Sequence, residues 1–156
     1  MTPDVGPSFV QLNEGWNAEP NAPHPRIKVV GTDVFLKFFL NPYQFPQFDR
    51  DELGIIRFST CSRYRIGATN DEGWYRGKCR YSAIAPAWGE FYEIVGTDVR
   101  LDEPTDWQVI ETTATASRHF LFYLRDETFE CIAKDWELAP DPVNALVQKV
   151  RPLGRS

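Results

Sequence analysis

The sequence predicts a mainly β fold, an antiparallel sandwich or strongly curved sheet carrying a C-terminal helix, which also admits an α+β description. Three observations point there. Period-two alternation recurs along the chain, no strand–helix–strand alternation appears, and only one segment has the spacing of a helix.

Residues 1–28 contain Pro3, Pro7, Pro20, Pro23 and Pro25 and read as an extended arm anchored on the body through Phe9, Leu12 or Trp16. Residues 29–156 read as a single β-rich domain. Val34, Leu36, Phe38 and Leu40 alternate with Phe35, Lys37 and Phe39 as the first strand, and Asn41-Pro42 ends it. The aromatic connector 42–48 is too proline-broken for a central strand and is expected to cap an edge of the core. A second strand runs from about Ile55 to Ile66. The loop Gly67–Gly73 then leads into a third strand, Trp74 to about Tyr81, completing a long hairpin. Trp88–Val95 and Trp107–Thr112 are further strand candidates, and the hydroxyl-rich stretch 112–117 reads as a link.

The strongest local signal spans Arg118–Ala133. With Asp126-Glu127 as a two-residue turn, Leu124 faces Phe129, Phe122 faces Cys131 and Phe120 faces Ala133, so one face is wholly apolar. The other face carries His119, Leu121, Tyr123 and Arg125 with Thr128, Glu130, Ile132 and Lys134. In this register Glu130 lies opposite Tyr123 and diagonal to Arg125. The helix candidate covers about 142–150, with Asp141 as N-cap, Pro142 in the first turn and Val143, Leu146, Val147 and Val150 on one side.

The 156 residues carry 17 basic and 22 acidic side chains, a net balance that disfavours nucleic acid and anionic membranes. The longest apolar stretch, Val34–Leu40, is far short of the roughly 20 residues of a membrane helix. The first residues lack the basic start and apolar run of a secretory signal, so a cytoplasmic location and no membrane partner are expected. The charge is segregated. From Arg57 to Arg80 stand six bases against two acids, and from Asp98 to Asp141 eleven acids against four bases. The simplest reading is mutual neutralisation within the fold, and the competing one is a basic face that receives an anion.

Period two places Phe58, Tyr64 and Ile66 with Tyr75, Cys79 and Tyr81 on the core side of the long hairpin. Arg57, Arg63 and Arg65 then stand beside Trp74, Arg76, Lys78 and Arg80, a concentration of cations that destabilises a ladder unless carboxylates lie among them. Glu90, Glu93, Glu130, Asp71 and Glu72 are the internal candidates. A phosphate, a carboxylate ligand or an acidic partner surface is the external one. Arginine suits either role, because its planar fork pairs with two oxygens while stacking on Trp74 or Tyr123.

Catalytic readings are weak. Cys61, Cys79 and Cys131 show no CxxC spacing, and with only His24 and His119 as imidazoles they make no metal site. They read as reduced, mostly buried thiols. A Cys131–His119–Glu130 nucleophile arrangement fails on strand parity, because Cys131 points to the Phe120/Phe122 face while His119 and Glu130 point away. No Gly-x-Ser-x-Gly elbow, phosphate loop or dinucleotide fingerprint is present, so no cofactor is implied. The adjacent acids Asp71-Glu72 and Asp126-Glu127 fall in turns, where carboxylates are ordinarily solvated.

Asn70-Asp71-Glu72-Gly73-Trp74-Tyr75 and the run from Arg118-His119-Phe120 to Asp126-Glu127-Thr128-Phe129-Glu130-Cys131 resemble a group of small bacterial proteins of unassigned function. These share an Asn-Asp-Glu loop and a His-Phe…Asp-x-Thr-Phe-Glu-Cys hairpin. The resemblance implies one domain holding loop and hairpin together and transfers no activity.

The resulting expectation is a non-catalytic binding or protein-interaction domain, of immunity or regulatory type, using Asn70, Asp71, Glu72 and Trp74 with the adjacent face of Arg63, Arg65, Arg76, Tyr123, Glu130 and His119. The alternative is a small-anion-binding or hydrolytic domain in which Arg63, Arg65 and Arg76 hold the anion and Glu130 or His119 handles protons. A deep pocket lined by these residues favours the second, and internally paired arginines favour the first.

Overall fold

The alternating segments of the sequence become strands of one antiparallel sheet, seen in a computed structural model that describes residues 8–67, 89–96, 106–110, 118–125 and 127–139. The strands are β1 (Ser8–Gln11), β2 (Arg26–Val30), β3 (Asp33–Phe39), β4 (Leu53–Gly67), β5 (Phe91–Val95), β6 (Gln108–Val109), β7 (Arg118–Tyr123) and β8 (Thr128–Leu138). Their order is β1-β5-β7-β8-β4-β3-β2, with the short β6 added to β4. The expected third strand at 74–81, the stretch 112–117 and the helix at 142–150 lie outside the described residues.

Strong curvature, one of the two predicted arrangements, is visible in which side chains meet. In a flat sheet the three steps from β3 to β7 separate strands by about 14 Å. Yet the rings of Phe38 on β3 and Phe122 on β7 are 5.1 Å apart, and Phe58 on β4 is 5.9 Å from Phe91 on β5. The sheet therefore curls around its own apolar face without closing. Val34, Leu36, Phe38, Ile56, Phe58, Phe91, Phe120, Phe122, Phe129, Cys131 and Ala133 fill that concave side.

Regular structure begins earlier than the proline content suggests. The segment read as an arm supplies both edges of the sheet: β1 pairs with β5, and β2 with β3. Between them the chain crosses the open side of the curl as a strap. Leu12 N donates to Phe91 O, Ala18 bridges Leu40, and Glu19 N donates to Phe39 O. Trp16, one of the expected anchors, is buried against Phe38, Phe91 and Phe122 at ring distances of 5.8, 6.2 and 6.1 Å. Pro23 is compatible with pairing to β3 because it enters it through its carbonyl, which accepts from Phe39 N at 2.8 Å and needs no donor from the proline.

The 118–133 hairpin keeps its predicted faces but not its predicted register. Phe122 pairs with Phe129, Phe120 with Cys131 and Arg118 with Ala133. Leu124 N donates to Glu127 O at 2.8 Å, so the turn closes one residue earlier than an Asp126-Glu127 tip requires. Moving the turn by one residue shifts the pairing by two, which preserves side-chain parity and therefore the apolar face. Glu130 consequently stands opposite Leu121, not Tyr123. The Asp-Glu pair carries no Gly or Asn to favour the left-handed conformations of a tight primed turn, so the local sequence did not pin the tip.

β4 departs from simple alternation. Thr60 has φ 48°, and the pairing with β8 slips between Cys61 and Arg63. These irregularities let Phe58, Cys61, Tyr64 and Ile66 all pack on the core. Asp33 holds the kink: its Oδ1 accepts from Thr60 N at 3.1 Å, while its Oδ2 accepts from the Arg57 guanidinium.

Gly54 marks a close approach between β4 and β3. A Cβ there would stand 2.8 Å from Leu40 Cδ2 and 2.9 Å from Phe38 Cε2 and Cζ. Gly54→Ala is expected to destabilise by about 1–3 kcal/mol through overpacking. Equilibrium urea unfolding checks this, and an unchanged midpoint would refute the packing at that point.

Candidate functional site

On the convex face Arg63 and Arg65 project from β4 towards β8 and β6, as parity requires. Arg65 is the centre of a four-residue ionic network. Its Nη1 donates to Glu130 Oε1 at 2.9 Å, and its Nε and Nη2 donate to Asp106 Oδ1 and Oδ2 at 2.7 and 3.2 Å. Glu130 is fully buried, and its second oxygen lies 2.8 Å from His119 Nε2 on β7. Burial by itself would lower the Arg65 pKa. The Asp106 hydrogen bond and the charges of Glu130 and Asp106 outweigh that effect and hold it above its ordinary value. The group thus stays a cation at any physiological pH.

Trp107 covers this network. The Arg63 guanidinium lies 4.5 Å over its ring, and the His119 ring meets it edge-on at 6.5 Å. Tyr123, on the same face of the sheet, belongs to a second buried cluster with Tyr92, Ile94 and Leu121. The structure therefore brings together Arg63, Arg65, Glu130 and His119 of the sequence-predicted site. Because Leu121 takes the position opposite Glu130, the expected Tyr–Glu–Arg grouping becomes His119–Glu130–Arg65. Asn70, Asp71, Glu72, Trp74 and Arg76 lie outside the described residues.

Sequence reading missed Asp106 and Trp107 as members. Their signal was an acid directly before the strand candidate Trp107–Thr112, but nothing local indicated that this segment would pair with Arg63 and Tyr64 on β4.

Two further arginines are clamped in the same way. Arg57 binds Asp33 at 2.7 Å and Glu137 at 3.1 Å, and Arg118 binds Glu93 at 2.7 Å and Asp135 at 2.8 Å. Hydrogen bonding to Asp33 and to Glu93, respectively, raises their pKa values. Arg57–Glu137, Arg65–Asp106 and Arg65–Glu130 each join the basic 57–80 segment to the acidic 98–141 segment. Mutual neutralisation is thus realised for Arg57 and Arg65.

Cys131 packs on the concave face with Cys61, and His119 and Glu130 stand on the other side of the sheet. Burial, followed by the neighbouring Cys61, pushes the Cys131 thiol well above its usual pKa. The folded pKa exceeds the unfolded one, so this stabilising contribution is complete below the unfolded thiol value. As pH rises past that value, the folding equilibrium loses about tenfold per pH unit until the folded thiol itself ionises. Cys61 and Cys131 are expected to resist iodoacetamide in the native protein at pH 8 and to react only on unfolding. Peptide-level mass spectrometry reads this, and rapid native labelling of Cys131 would contradict its placement.

No protein-family model, curated protein or solved structure matches the chain. Among the described residues no helix is long and apolar enough to cross a membrane.

Proposed function

We propose that this chain is a non-catalytic protein-interaction domain of immunity or regulatory type, contacting its partner through the segment 70–74 and the Arg63/Arg65 face. The observation that carries this reading is the engagement of Arg57, Arg65 and Arg118 by the chain's own carboxylates. An anion-binding site needs a guanidinium fork turned to the ligand, whereas all three nitrogens of Arg65 are bonded to Asp106 and Glu130. A proton-transfer site needs a carboxylate that can approach substrate. Both Glu130 oxygens are held by Arg65 and His119 in full burial. Such a network rigidifies a surface more readily than it performs chemistry.

The test is affinity capture with tagged protein, reading proteins and small molecules together by mass spectrometry, alongside thermal denaturation with phosphate, sulfate and citrate. The expected result is one stoichiometric protein, lost with Trp74→Ala, and no saturable stabilisation by the anions. Retention of a small anion without a protein, or ester or phosphoester hydrolysis abolished by Glu130→Gln, would overturn the reading.

A further inference from the structure

At one end of the curl the core opens into an apolar pocket of about 170 Å³, whose wall includes Trp16, Leu40, Phe48, Leu53, Leu138 and Ala139. We propose that the C-terminal segment 141–150 of the same chain docks in this pocket through Val143, Leu146 and Val147.

Two large aliphatic side chains stand at the rim. Leu53 is 40% and Leu138 51% exposed. Leu138 pairs with Ile56 and so faces the same side of the sheet as that fully buried residue. Trp16 and Leu40, beneath the rim, belong to the core itself. An uncovered apolar surface continuous with the core is favourably covered by another apolar one. An apolar cavity of about 150 Å³ takes benzene, so this pocket takes one or two branched aliphatic side chains.

The occupant follows from where the chain goes. Ala139 N donates to Ile55 O at 2.9 Å, so the end of β8 is fixed on the pocket wall, and from there the chain continues into Pro140-Asp141-Pro142. Val143 follows Ala139 by four residues and therefore lies within about 14 Å of it. Val143, Leu146, Val147 and Val150 recur at the spacing of one helix face, and 142–150 as a helix would be about 13 Å long. A tethered segment reaches the pocket at an effective concentration on the order of millimolar, ahead of a free competitor of equal affinity. Charge agrees with this choice. The stretch joining the lining residues Phe48 and Leu53 holds Asp49, Asp51 and Glu52 against Arg50, whereas residues 140–156 hold Lys149, Arg151 and Arg155 against Asp141. Three acids to one base at the rim thus meet three bases to one acid on the segment.

The experiment is NMR on the full chain. Isotope-edited NOE spectra read contacts between the methyl groups of Val143, Leu146 and Val147 and the rings of Trp16 and Phe48, and hydrogen exchange reads the amides of 146–150. NOEs from these methyls to both rings are expected, with amide exchange slowed at least about tenfold relative to an unstructured chain. Leu146→Asp carries a charge into the contact, and is expected to erase the NOEs and to speed exchange by about tenfold or more. Gln148→Asp, on the opposite side of the segment, is expected to change neither readout. If it acts like Leu146→Asp, the docking side is wrong and the proposal falls. Absence of NOEs to the two rings, or NOEs to a different part of the sheet, would overturn it. So would contacts that appear only between labelled and unlabelled chains in a mixed sample, because the occupant is then a second copy. The NOEs are measured on wild-type protein and stand even if Leu146→Asp does not fold.

Discussion

Replacing Glu130 by alanine is expected to cost about 3–5 kcal/mol of folding stability, since it takes from Arg65 and His119 the buried carboxylate they share and leaves a hole in its place. For a chain of this size that is a fall in Tm on the order of 10 °C. The cost has a specific origin. Glu130 is fully buried between Arg65 Nη1 at 2.9 Å and His119 Nε2 at 2.8 Å, so deletion removes both charge-assisted bonds and leaves the guanidinium only Asp106. Glu130→Gln should cost less, because the amide retains one oxygen for Arg65 and a polar atom for His119. His119→Ala should cost about 1–3 kcal/mol, the range for a buried polar group that loses its partner. Chemical denaturation is expected to rank Glu130→Ala as the least stable, Glu130→Gln above it and the wild type highest. A loss below about 1 kcal/mol for Glu130→Ala would mean that the network is not a buried ion pair.

Phe58→Ala is expected to destabilise by about 3–5 kcal/mol, approaching the whole stability of a small domain. Phe58 has no exposed surface, and its ring lies 5.4 Å from Phe120, 5.3 Å from Phe129 and 5.9 Å from Phe91. These partners come from three other strands, so no single neighbour can relax into the cavity without breaking contact elsewhere. Phe58→Leu should retain more than half of the lost stability, since most of the volume is kept. Circular dichroism during urea unfolding measures both variants. Equal effects of Leu and Ala would show that the ring contacts do not contribute.

The two predictions probe the two sides of one sheet, and those sides were legible to different extents. Parity alone assigned Phe120, Phe122 and Leu124 to one face and His119, Tyr123 and Glu130 to the other, and this survived a two-residue error in register. It also placed Arg57, Arg63 and Arg65 opposite Phe58, Tyr64 and Ile66. The β4 kink at Thr60 was not legible, because it depends on Asp33, a residue 27 positions away that accepts from the Thr60 amide.

Charge segregation likewise announced that arginines of one segment would meet acids of another. It could not say that Arg65 would take Glu130 and Asp106, or that Glu93 would go to Arg118. What the chain's letters determined is local: side-chain alternation, the apolar and charged sets, and the need for anions near the arginines. The partners, the curl that brings Phe38 to Phe122, and the strap that turns a proline-rich segment into two sheet edges were decided by tertiary structure. Alternation along a strand is set by backbone geometry every two residues, whereas pairing across the sheet depends on contacts between residues far apart in the chain, which no short window of sequence contains.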